Sequence, residues 1–116
     1  MELIALLSTG KGTWEQVSGL IKHGDWDKII VLGDDFAKKF TSDKEFEFIK
    51  IDLSKKLKDL KDELLKKLKG KIKGTEVALS IASGDGKEHM ALISALINLP
   101  VGIRFAALTR EGVIDL

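Results

Sequence analysis

Apolar and polar positions fall in blocks along this chain, and each block has its own period. Residues 1–8 form a short, almost unbroken apolar run ending at Ser8, the pattern of a strand buried on both faces. Thr13 then stands as the N-cap of a helix reaching to about His23. Trp14, Val17, Leu20 and Ile21 recur at helical spacing, and Gly24 follows in the left-handed closing position. A second apolar run over residues 28–33 predicts another buried strand. Asp34 or Asp35 then caps a short helix bearing Phe36, Ala37 and Phe40. Residues 45–52 alternate through Phe46, Phe48 and Ile51, which predicts a strand near a sheet edge.

Leucines at 57, 60, 64, 65 and 68 place one long amphipathic helix over residues 54–72. Residues 75–83 predict a strand, Gly84-Asp85-Gly86 a tight turn, and residues 87–99 an apolar helix stopped by Pro100. A strand over 103–108, a turn at Arg110-Glu111-Gly112 and an antiparallel strand over 113–116 complete the pattern. Strands and helices therefore alternate, which defines an α/β protein. The expected fold is Rossmann-like: a mostly parallel sheet with helices on both faces and a C-terminal antiparallel β-hairpin. Right-handed crossovers favour the strand order 3-2-1-4-5-6. With 116 residues, the chain is expected to form one domain over 1–116.

Composition narrows the classes. A 44% hydrophobic content with a net charge of only +1 excludes disorder, and the absence of cysteine excludes disulfides, thiolate zinc sites and cysteine nucleophiles. No apolar run approaches the roughly 18 residues of a membrane span. Met1-Glu2-Leu3 has neither a basic flank nor a cleavage site, so a cytoplasmic protein without a membrane partner is expected. The Lys- and Glu-rich composition, with one proline, resembles that of thermophile proteins. Residues 55–73 carry nine lysines against Asp59, Asp62 and Glu63. Without arginine or interleaved aromatics, this is the pattern of a solvated face with i,i+4 ion pairs among Lys55, Asp59, Glu63 and Lys67, and no duplex nucleic-acid partner is expected.

In an open α/β sheet a ligand binds beyond the carboxyl ends of the strands, where the strand order reverses. The reversal is expected between the first and fourth strands. The segments leaving them are Ser8-Thr9-Gly10-Lys11-Gly12-Thr13 and Ser83-Gly84-Asp85-Gly86-Lys87-Glu88-His89. Both are rich in glycine and hydroxyls, carry a lysine and lead into helices, features of an anion site. Each taken alone is also ordinary turn and cap chemistry. Two of them at one crevice point to a phosphate-bearing ligand.

The P-loop pattern fails because Lys11 is followed by Gly12, and the dinucleotide fingerprint fails because Glu15 stands where its third glycine belongs. Gly33, Asp34 and Asp35 end the second strand; the aspartates read as caps, with magnesium binding as the alternative. Trp14, directly after the first ligand segment, either seals the core or stacks on a base. His89 is either a structural hydrogen-bonder or an acid, and His23 places a favourable charge at a helix end.

Residues 79–108, LSIASGDGKEHMALISALINLPVGIRFAAL, resemble the signature of CRISPR-associated Rossmann-fold (CARF) sensor domains, in which the fourth strand ends in a Thr/Ser-Gly-Gly-Thr-Lys type turn. Here that turn is Ser83-Gly84-Asp85-Gly86-Lys87, with Asp85 in place of the second glycine and Gly86 where threonine is usual. Ser8-Thr9-Gly10 falls where the family places a second ligand-binding hydroxyl. The resemblance implies antiviral defence: a homodimer binding cyclic oligoadenylate in a two-fold groove, with Ser8, Thr9, Gly10, Ser83, Gly84 and Lys87 from each subunit. The wider ligand set adds Lys11, Gly12, Thr13, Trp14, Gly33, Asp34, Asp85, Gly86 and His89.

Because the chain ends with its sixth strand, it is expected to stand alone without an effector domain. It would then act as a ring nuclease that destroys the messenger, or as a sensor working through a separate partner. Cleavage needs no metal or cofactor. A ribose 2′-hydroxyl attacks its own 3′-phosphate, Lys87 stabilises the developing charge, and Ser8 or Thr9 orients the reacting groups. Glu88 and His89 are the nearby general bases. Replacing Lys87 by alanine is expected to abolish cleavage while leaving folding intact. The subunit contact is expected on the apolar helix at residues 90–99.

Overall fold

A computed structural model describes residues 1–8 and 13–116. Among these residues, six strands form one sheet: β1 (Glu2–Leu7), β2 (Lys28–Gly33), β3 (Glu47–Lys50), β4 (Glu76–Ser80), β5 (Gly102–Thr109) and β6 (Gly112–Asp115). Their order is β3-β2-β1-β4-β5-β6, all parallel except the closing β5–β6 pair. The fold class and the 3-2-1-4-5-6 order expected from the pattern of elements are thus those of the molecule.

Among the described residues, three α-helices flank the sheet: α1 (Thr13–His23), α2 (Leu57–Leu68) and α3 (Gly86–Asn98). The helices divide between the two faces according to the pleat. Leu3, Ala5 and Leu7 of β1 pack with Val17, Leu20 and Ile21 of α1, whereas Ile4 and Leu6 pack with Leu60, Leu64 and Leu68 of α2 and with Ala91, Leu92, Ala95 and Leu96 of α3. Burial of alternate β1 residues on opposite faces explains why that strand reads as continuously apolar. Among the described residues, no helix is long and apolar enough to cross a membrane.

Several boundaries move, each for a local reason. The helix expected over 54–72 contracts to α2. Before it, Asp52 accepts the backbone N–H of Ser54 at 3.0 Å, forming a side-chain-held turn, and Lys56 remains extended. After it, Lys69 leaves the helix and Gly70 takes a left-handed φ of 81°. The strand expected over 75–83 pairs only through Ser80, and the one expected over 45–52 only over β3.

Gly24 does not take the left-handed conformation expected of it; among the described glycines, Gly70, Gly84 and Gly112 do. A Cβ at Gly24 would lie 2.3 Å from the Trp26 ring. Trp26 in turn donates its indole N–H to the Leu20 carbonyl at 2.9 Å, locking the ring over the helix end. Close aromatic packing, not backbone handedness, is why glycine stands there.

Candidate functional site

The strand order turns between β1 and β4, so the crevice beyond their carboxyl ends is where this fold receives ligands. β1 and β4 pair with a constant sequence offset, Glu2 with Val77 through Ala5 with Ser80. Beyond Ser80 the ladder stops, and a side chain replaces it. The Ser83 hydroxyl accepts the Ser8 backbone N–H at 2.9 Å and lies 3.4 Å from the Ser8 carbonyl, to which it donates. These two residues continue the same offset, 75 positions apart. One hydroxyl thus stands in for the missing backbone pair, an arrangement that buried N–H and C=O groups require.

Glu88 sits beneath this junction with only 6% of its surface exposed. It accepts the Ser8 hydroxyl at 3.2 Å through one oxygen and the Asp85 backbone N–H at 3.0 Å through the other. Asp85 completes a capping box by accepting the Glu88 N–H at 2.9 Å. The negative charge that the start of α3 attracts is therefore supplied by Asp85 itself. Gly84, at φ 105°, closes the turn; a Cβ there would come within 2.8 Å of both Glu88 Oε1 and Leu6. Gly86 is the first residue of α3 and borders open space.

His89 Nε2 lies 2.8 Å from the Ser83 carbonyl. A carbonyl only accepts, so Nε2 carries the proton and Nδ1 is the ring's basic nitrogen when the imidazole is neutral. Trp14 donates its indole N–H to the Ser8 carbonyl at 2.9 Å and meets Phe36 and Phe40 edge-on. Ser8, Trp14, Ser83, Gly84, Glu88 and His89 thus form one connected group.

Lys87 is directed elsewhere. Its ammonium donates to the carbonyls of Leu53 at 2.9 Å and Lys55 at 2.8 Å, tying the start of α3 to the connection before α2. Asp34 caps the short 3-10 helix at Asp35–Lys39, accepting the N–H groups of Phe36 and Ala37. Gly33 is buried beneath that turn, where a Cβ would meet Ala37 at 2.5 Å. The Asp35 carboxyl is held below the usual aspartate range by hydrogen bonds from Lys38 and then Lys50. Thr13 is the first residue of α1, while Thr9, Gly10, Lys11 and Gly12 lie outside the described residues. Among the described residues, no cluster of His, Asp and Glu has metal-binding geometry.

Two contributors act in ways that the sequence did not indicate. Glu88 was legible as the fourth residue of Asp-x-x-Glu, the capping-box pattern, although its bond to Ser8 was not. Gln16 has no local signal at all. Its amide accepts the Leu108 N–H at 2.6 Å and donates to the Leu108 carbonyl at 3.1 Å, covering β5 where β4 no longer does. The site is thus that of a Rossmann-like domain with a hydroxyl-bridged switch point. No known family model matches the chain, and no curated protein matches it.

Proposed function

We propose that this protein is a CARF-like nucleotide-binding module that takes cyclic oligoadenylate at the β1–β4 switch point, across the two-fold axis of a homodimer in the cytoplasm. The observation carrying this reading is the Ser8–Ser83 junction. It joins the end of β1 to the Ser83-Gly84 turn at the crevice where an α/β sheet receives a ligand. A two-fold dimer would present two copies of that crevice to a symmetric ring. Met90 and Ile97, two helical turns apart on α3, are 58% and 60% exposed and supply apolar surface for a second subunit.

Binding is favoured over cleavage by Lys87, which would have to release two carbonyls before it could neutralise a phosphate. Ring cleavage remains as the second reading on the strength of His89. With Nε2 donating to Ser83, its Nδ1 is a candidate base for a ribose 2′-hydroxyl, which would then attack the adjacent phosphorus and expel the 5′-oxygen.

Incubation with radiolabelled cyclic tetra- and hexa-adenylate in EDTA separates the readings. Retention of intact ring is expected for the binding module. Conversion to linear products ending in a 2′,3′-cyclic phosphate would establish the nuclease. Neither retention nor cleavage would overturn both.

A further inference from the structure

Phe36 lies in the 3-10 turn immediately after β2, at the same end of the sheet as the Ser8–Ser83 junction. Phenylalanine in a short turn ordinarily faces the core, as Phe40 does one turn later; Phe36 is instead 48% exposed. Two neighbours hold its ring in place. Trp14 packs against it at 5.5 Å between centroids with an interplanar angle of 62°, and the Lys39 ammonium lies 3.7 Å from its centroid. The ring also borders a cavity of about 390 Å³ lined by Asp34, Asp35, Phe36, Lys50, Ile51 and Asp52. That volume is within the range of small-molecule sites.

The geometry points to Phe36 as a stacking platform for the base of a nucleotide bound at this end of the sheet. This rests on the reading of the β1–β4 crevice as a nucleotide site. Trp14 is the physical link: its indole N–H is bonded to the Ser8 carbonyl while its ring meets Phe36. The junction and the platform are therefore one indole apart, within the span of a single nucleotide. A cation over an exposed aromatic face complements a flat ring attached to an anion. The base takes the ring face from Lys39, and the released ammonium pairs with the phosphate. Asp35, whose carboxylate projects into solvent beside the cavity, can accept ribose hydroxyls. The three carboxylates and Lys50 that line the cavity make it a poor seat for a purely apolar ligand.

Isothermal titration with AMP, ribose 5-phosphate and cyclic tetra-adenylate tests this on the wild type and on Phe36→Ala, Phe36→Leu and Phe36→Tyr. Loss of base stacking is expected to weaken AMP binding by roughly ten-fold in Phe36→Ala and Phe36→Leu. Phe36→Tyr retains it, and ribose 5-phosphate, which has no base, is indifferent to all three. Phe36→Leu keeps the apolar bulk and decides the matter should the alanine variant not fold. Unchanged AMP affinity in the leucine variant, or no AMP binding by the wild type, overturns the platform. AMP bound through Phe36 while cyclic tetra-adenylate is not bound leaves the platform standing and removes the cyclic ligand. Cyclic tetra-adenylate bound equally by wild type and leucine variant does the reverse.

Discussion

The hydroxyl of Ser83 accepts the backbone N–H of Ser8 at 2.9 Å, where the two central strands have ceased to pair. Both residues are buried, so neither group has water as an alternative partner. Ser83→Ala is expected to lower unfolding free energy by about 1–3 kcal/mol, the usual cost of an unsatisfied buried donor. Urea denaturation measures the loss, and hydrogen exchange should show the Ser8 amide deprotected. A variant as stable as the wild type, with Ser8 still protected, would show that the bond contributes nothing.

Gly84 and Gly86 are two residues apart and should respond in opposite ways to alanine. At Gly84 a methyl group meets Glu88 and Leu6 in a left-handed backbone, so Gly84→Ala should cost more than about 1 kcal/mol. Gly86 opens α3 next to empty space, so Gly86→Ala should be neutral or stabilise by up to about 1 kcal/mol. Thermal unfolding of the pair gives the comparison. Equal shifts for both variants would contradict the turn geometry.

Lys87 carries a stability role that turn chemistry alone does not suggest. A surface-loop lysine would be replaceable without penalty, but this ammonium joins two carbonyls of the connection preceding α2. Lys87→Met keeps the apolar stem and removes the donors, and should cost about 1 kcal/mol. Limited proteolysis should detect faster cutting over residues 52–56. Wild-type stability and cutting rate in this variant would show that the tether is idle.

Stability should fall on the acid side. The Glu47 carboxyl is held below its ordinary value chiefly by a hydrogen bond from Lys71 at 2.6 Å. Burial raises that of Glu63, but the Asp52 N–H, Lys67 and Lys55 together bring it below the ordinary value. The unfolded chain therefore takes up these protons first as pH drops. This contribution is complete above the normal glutamate range near 4.3 and disappears as pH falls through the lower folded-state values. Urea midpoints should hold level from about pH 7 to 5 and decline below. The double variant Glu47→Gln, Glu63→Gln should show a shallower decline, and identical acid profiles would count against the ion pairs.

The order of elements and the class of fold were legible in the chain alone. Burial on one or both faces writes a period of two, a continuous apolar run or a period of 3.6 into adjacent residues, and crossover handedness does the rest. Asp34 as a cap was legible for the same reason, because its partners Phe36 and Ala37 are two and three positions away. The destinations of longer side chains were decided by tertiary structure. Lys87 reaches carbonyls 34 and 32 residues back, Ser83 completes a ladder with a residue 75 back, and Gln16 pairs with Leu108 across 92 positions. Such partners come within bonding distance only after the sheet has assembled, so local spacing contains no record of them. Phe36 marks the same boundary: its helical neighbours suggest a core residue, and only the packing of Trp14 and Lys39 around it leaves the ring open to solvent.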